Sequence, residues 1–224
     1  MTTISFFKYK KNKFWAFTQM GKGYDIFTNV KGLSFVKLLG TGAGAGFSLY
    51  PDFSTYSILC VWKNEKFARD FIENSQHSKI ISEKAYSRND YFLNTIQSHG
   101  LWDGSNPFNK VAKFKSTKNK IGIITRANLN MYRILEFWSS VPKASNAIKK
   151  AKGVSWYKGI GEWPLIQQAT FSVWESIEHV KNFAYGEGLH KDIVQKTKRR
   201  NWYKEDLFAR FEILNSEHKE FNNN

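Results

Sequence analysis

Apolar positions along this chain recur in two periods. Leu207, Ala209, Phe211 and Ile213 alternate with Phe208, Arg210 and Glu212, the period-two signature of a strand. β-prone runs at 14–20, 33–39, 56–62, 91–96 and 121–127 predict five more strands. Helical spacing appears in Phe67, Ala68, Phe71 and Ile72, which follow a capping residue, Asn64. It appears again in Met131, Ile134, Leu135, Trp138 and Val141, with Pro142 expected near the helix end. A third helix is predicted around Ile177, Val180 and Phe183. Beyond Gly186 and Gly188 a further stretch sets His190, Ile193, Val194 and Thr197 on one face.

Two stretches share one plan. Gly153-Val-Ser-Trp-Tyr-Lys leads through a turn to a strand ending at Trp174, then a helix and His190. Gly32-Leu-Ser-Phe-Val-Lys leads through Gly40-Thr-Gly-Ala-Gly-Ala-Gly46 to a strand ending at Trp62, then a helix and His77. The repeat and the order β-α-β-β-α-β in each copy predict an α+β fold of two ferredoxin-like halves. Their antiparallel sheets are expected to pack together, as in dimeric α+β barrels. The first half is placed at 1–109, a Lys-rich linker at 110–120, the second half at 121–215 and a tail at 216–224.

The Gly-rich turn is not a dinucleotide loop. Such a loop opens a helix that holds the pyrophosphate, whereas Phe47-Ser-Leu-Tyr-Pro51-Asp52 reads as a turn. A hairpin connection lying over a pocket fits better. Lys31-Gly-Leu-Ser-Phe-Val-Lys-Leu38 resembles an RNA-recognition strand, but Leu33 and Leu38 occupy two of its three stacking positions.

The formal charge of +15 suits nucleic acid, an anionic membrane surface or an acidic protein, and equally plain solubility. Only 196–200 forms a dense basic run. A single cysteine, Cys60, excludes an intrachain disulfide framework and any site built on several thiolates. Lys8, Lys10, Lys11 and Lys13 interrupt the N-terminal apolar residues, so no signal peptide is expected. Cytoplasmic location is the expectation, with peripheral contact at the inner membrane as one use of the charge.

Five histidines are scattered, and no Ser-His-Asp set, phosphate loop or paired-His motif is visible. His190 stands out because a Gly-rich break precedes it and apolar residues share its face. A neutral imidazole there could ligate a haem iron. A lone histidine more often sits at a surface or cap.

From Trp15 to Leu214 the chain resembles the spheroidene monooxygenases, acyclic carotenoid 2-ketolases. The resemblance rests on Trp15 with Gln19-Met20, Lys37 with Gly40-Thr-Gly42 and Gly46-Phe47, and Ser57-Ile-Leu with Trp62. It continues through Trp102-Asp-Gly-Ser-Asn-Pro-Phe108, Thr125-Arg-Ala127, Phe137-Trp138 with Val141-Pro142, and Lys158-Gly-Ile-Gly-Glu162. Pro164, Gln168, Thr170-Phe-Ser172, Trp174, Gly188 with His190, and Trp202 through Leu207-Phe-Ala-Arg-Phe211 complete it. Leu189 and Gln167 depart from the family pattern, where Pro and His are expected.

The resemblance implies a haem b (iron) monooxygenase that inserts oxygen from O₂ into an acyclic carotenoid or similar apolar substrate. Its halves would be similar to those of other haem proteins, such as aldoxime dehydratases and chlorite dismutases. His190 would then be the proximal, metal-binding ligand. Arg126 and Gln168 are the candidate distal catalytic residues, on strands expected opposite the helix carrying His190. An acidic electron donor such as a ferredoxin would serve as partner, and no nucleic acid is expected. A haem lyase or peroxidase of the aldoxime-dehydratase type, and a basic single-stranded RNA-binding module, are the alternatives.

Overall fold

The computed structural model describes residues 1–44, 48–109, 111–116, 118–185 and 200–221. In chain order the elements are β1 (Thr2–Lys8), α1 (Lys13–Lys22), β2 (Leu33–Gly42), β3 (Pro51–Trp62), α2 (Glu65–Asn74), α3 (Gln76–Lys84) and β4 (Ser87–Gly100). The second half gives β5 (Ile121–Leu129), α4 (Ile134–Lys149), β6 (Val154–Trp163), β7 (Gln167–Trp174), α5 (Ile177–Tyr185) and β8 (Tyr203–Glu220).

The strands form one closed antiparallel barrel in the order β1-β3-β2-β6-β7-β5-β8-β4. Each half supplies four consecutive strands, β4-β1-β3-β2 and β8-β5-β7-β6, so the duplicated α+β fold is present. The sheets face each other across a common core of Ile4, Phe6, Leu39, Leu59 and Leu93 from one half and Ile124, Ile160, Phe171, Ala209 and Phe211 from the other. They also join along both edges. β4 and β8 pair from Ser87↔Glu220 to Gly100↔Leu207, whereas β2 and β6 meet only at Gly40↔Gly161 and Thr41↔Ile160.

The repeat is visible atom by atom. Gly32 and Gly153 both have positive φ, 79° and 80°. In each, the space a Cβ would occupy is filled by a ring from the following helix, Phe67 in one half and His179 in the other. In each, the residue after the strand-ending Trp donates its N–H to that glycine carbonyl, Lys63 to Gly32 and Glu175 to Gly153.

Residues 14–20, expected as the first strand, form helix α1 instead. Aromatic residues raise β propensity, but tertiary packing decides. Ala16 and Met20 lie one helical turn apart and face Tyr9, Tyr56 and Ile58. The strand position is taken by Thr2–Lys8, which pairs with both β3 and β4. Helix α4 runs on through Pro142 to Lys149, and β8 extends past 216 to Glu220. The expected cap at Asn64 is present, its side chain accepting from Phe67 N–H at 3.2 Å.

The crossing between halves is anchored to the barrel. Trp102 and Phe108 insert into the common core. Glu212, fully buried on β8, accepts from the N–H groups of Lys115 and Ser116 and from the Asn119 amide. Burial pushes its carboxyl up, but these donors bring it below the usual range. Among the described residues no helix is long and apolar enough to cross a membrane.

Candidate functional site

Alternation along β5 divides the two distal candidates. Ile124 lies in the barrel core, so Arg126 points inward and Thr125 and Ala127 point outward. Arg126 is paired with Ala169 and Ala127 with Gln168, so Gln168 shares the outer face. Arg126 and Gln168 therefore stand on opposite faces of one sheet and do not converge on a single pocket.

Arg126, 1% exposed, belongs to an ionic cluster inside one end of the barrel. Its guanidinium pairs with Glu205 and with Asp103 at 3.2 Å, and lies over the Trp102 ring. Lys37 bridges Asp103 and Glu162, and Glu162 accepts from the Trp102 indole at 2.8 Å. Glu205 also accepts from the N–H groups of Asp103 and Gly104. Burial raises its carboxyl, yet the Gly104 N–H and Arg126 hold it below the ordinary range. Lys37 is opposed by burial but raised on balance by Asp103 and Glu162. Trp102, Asp103, Lys37, Arg126 and Glu162 all fall in the sequence blocks described above, and together they fasten this end of the barrel, with Asp103 at its exposed rim.

The outer face of the second sheet is different. Registers across the sheet align Gly159, Thr170, Thr125, Phe208 and His99 in one row. Helix α4 covers Ala127 and Leu129, and α5 packs with Ile121, Ile123 and Trp174. Between them Thr125 stays exposed in mid-strand. Three small residues thus lie beside a stacked Phe208–His99 pair, between apolar flanks, a composition that suits a planar, largely apolar prosthetic group.

Beside this face, over the thin β2–β6 seam, lies a cleft of about 290 Å³, partly open to solvent and at the lower end of small-molecule sites. Gln168 lines this cleft and lies on the same sheet face as Thr170 and Thr125. Its amide donates to the Trp163 carbonyl at 3.3 Å, and it stands beside Gly161, where a Cβ would meet the Gln167 carbonyl at 2.6 Å. Phe17, Met20, Leu49, Phe53, Pro164 and Leu165 give the cleft its apolar walls. Gly40, Thr41 and Gly42 also line it, so the Gly-rich turn borders a pocket as the sequence suggested.

The histidines sort by surroundings. His77 is buried between Phe27 and Phe71, with no hydrogen-bond partner for Nε2 among the described residues, and burial lowers it to about 4. The small cavity beside it has no room for a macrocycle. His179 bonds Ser176, His218 bonds Asn89, and His99 stacks on Phe208. His190 lies outside the described residues. No group of three or more metal-ligating side chains occurs among the described residues. The RNA-like strand offers no stacking platform, since Phe35 packs against Trp102 and Phe108 inside the barrel.

No family model matches the chain. It is 33% identical over 215 residues to a protein named spheroidene monooxygenase from Cereibacter sphaeroides, covering 95% of this chain and 66% of that protein. It thus spans just under two thirds of that relative. It is 31% identical over 205 residues to the protein of the same name from Rhodobacter capsulatus, covering 91% of this chain and 85% of that one. Two solved structures of aldoxime dehydratases, one in complex with butyraldoxime, share the fold with TM-scores of 0.57 and 0.54 at 11% identity. The alignments cover 98% of this chain and 82% and 84% of those chains. With identity above 30% sustained over most of both sequences, the chain belongs to the spheroidene monooxygenase family.

Proposed function

We propose that this protein is a haem-dependent monooxygenase that inserts oxygen from O₂ into an acyclic carotenoid or a similar long apolar substrate. Membership of the family supports the reaction class. The observation that carries the substrate class is the apolar cleft over the β2–β6 seam, which Gln168 lines from the same sheet face as Thr170 and Thr125.

Haem, when bound, supplies the activation of O₂; the chain supplies ligand, orientation and an apolar enclosure. His190 would hold the haem iron, and the sheet face that carries Thr125 and Thr170 would receive the macrocycle. Gln168, held by Trp163, lines the cleft with its amide and would hydrogen-bond an oxygen atom at the reacting end of the substrate. The cleft walls exclude water from the polyene. Each hydroxylation consumes one O₂, two electrons and two protons and yields one water. Two at the same carbon give a geminal diol that loses water to a ketone. The electrons come from a separate, acidic donor that the basic surface attracts.

The test is an absorption spectrum of the reconstituted protein, followed by turnover of an acyclic carotenoid under O₂ with a ferredoxin-type reductant. A Soret band absent in His190→Ala, together with a mass gain of one oxygen or of a ketone, is expected. Protein that retains no haem, or haem-loaded protein that leaves the polyene unchanged, overturns the proposal.

A further inference from the structure

Large apolar side chains are exposed around the mouth of the seam cleft. Phe14 and Phe17 stand one turn apart on the outward side of α1, 80% and 51% exposed. Leu49, Tyr50 and Phe53 come from the β2–β3 connection and the start of β3, and Trp163, 67% exposed, from the end of β6 across the seam. Three of them meet at the cleft: the Phe17 and Phe53 rings pack edge to face at 5.9 Å, and both line it with Leu49, while Phe14, Tyr50 and Trp163 are their neighbours along the chain segments that border it. Exposed apolar residues scattered singly mean little, but a cluster around a cleft opening marks an interaction site.

The charge selects the occupant. Lys11, Lys13 and Lys22 are exposed at the two ends of α1, and the helix itself, Lys13-Phe-Trp-Ala-Phe-Thr-Gln-Met-Gly-Lys22, contains no acidic residue. Aromatic rings beside lysines are the composition of a helix lying in a bilayer interface, where rings enter the acyl boundary and ammonium groups meet anionic headgroups. A second copy of the chain is disfavoured there, because each carries a formal charge of +15 and would bring the same lysines together.

We infer that this face docks on the surface of an anionic lipid bilayer, with α1, residues 48–50 and the start of β3 in the interface and the cleft opening toward the membrane. The inference goes beyond the proposed reaction: it assigns the side from which an apolar molecule reaches the cleft without depending on what happens there.

Vesicles of phosphatidylglycerol and phosphatidylcholine in equal parts, compared with phosphatidylcholine alone, test it by co-sedimentation. The protein is expected to bind the anionic vesicles, less so as salt rises, and Phe14→Ser with Phe17→Ser to weaken binding roughly tenfold or more. Both side chains are exposed, so an unchanged circular dichroism spectrum and melting temperature show that the variant is folded. Tyr50→Cys carrying a nitrobenzoxadiazole label should shift to the blue on vesicles, and Gln97→Cys, on the opposite seam, should not. The buried Cys60, whose thiol burial pushes up, will not compete for label.

Absence of binding overturns the inference. So does binding that the phenylalanine substitutions leave unchanged, or light scattering that finds a dimer abolished by those substitutions. No readout uses haem or turnover, so this surface and the oxygenase reading fail separately.

Discussion

His77 shows how far one side chain's surroundings set its chemistry. Its ring is enclosed by Phe27 and Phe71, and burial brings its pKa to about 4 from 6.5. The unfolded chain therefore binds the proton more readily than the folded one, so stability falls as pH drops from 6.5 toward 4. The loss should be on the order of 2 kcal/mol, after discounting for solvent at the cavity edge. Urea denaturation at pH 7 and pH 4.5 should show it, and His77→Phe should flatten that slope without changing haem content. Arg126 is the opposite case, a buried cation with two carboxylates. Arg126→Leu should cost about 3–5 kcal/mol because the largely buried Glu205 loses its cation, whereas Asp103 keeps Lys37, and adding Glu205→Gln should recover part of it. Gln168→Leu should leave stability and haem near normal while lowering turnover on the order of a hundredfold. Loss of haem in step with activity would make Gln168 an anchoring residue instead.

At the scale of elements, the two strand-strand-helix units, β2-β3-α2 and β6-β7-α5, meet the same geometric demand with different side chains. Gly153 keeps positive φ while the His179 ring fills its Cβ position, as the Phe67 ring does at Gly32. Gly153→Ala should cost about 1–3 kcal/mol from backbone strain alone, with more from displacing the ring. If strain dominates, His179→Ala will not rescue it; if the ring clash dominates, the double variant will recover most of the loss. Thermal melts of the three variants separate these. The glycine repeat was legible in the sequence because positive φ demands glycine. Helix α1 was not, because Phe14, Trp15 and Phe17 fit a strand equally well until Tyr9 and Tyr56 supply a surface for Ala16 and Met20.

At the scale of the molecule, the barrel has one core to which both sheets contribute, closed by a long β4–β8 seam and a thin β2–β6 seam. Trp102 and Phe108 from the crossing segment complete that core. Unfolding in urea should therefore be a single transition, with tryptophan fluorescence and circular dichroism coinciding. Residues 121–221 alone should lack a cooperative transition, since Ile124, Phe171 and Phe211 would face water. A cooperative melt of that fragment would show that the halves are independent domains. The thin seam also explains where the cleft lies: the paired glycines Gly40 and Gly161 leave no side chains to fill the space above them.

The sequence by itself determined the duplicated α+β plan, the family, and the cap at Asn64, because these rest on local periodicity, glycine geometry and ordered residue blocks. It also marked Arg126, Lys37, Trp102 and Glu162 as residues that matter. Only the tertiary structure decided where they sit and what they touch. Pairing Arg126 with Glu205, 79 residues away, turned it inward into the barrel fastening, while Gln168, one step off in register, faces the cleft. Which face a strand residue takes depends on register against strands distant in sequence, and a shift of one residue reverses it. The same closure into a barrel gathered Phe17, Leu49 and Phe53 around one opening, which no local pattern could specify.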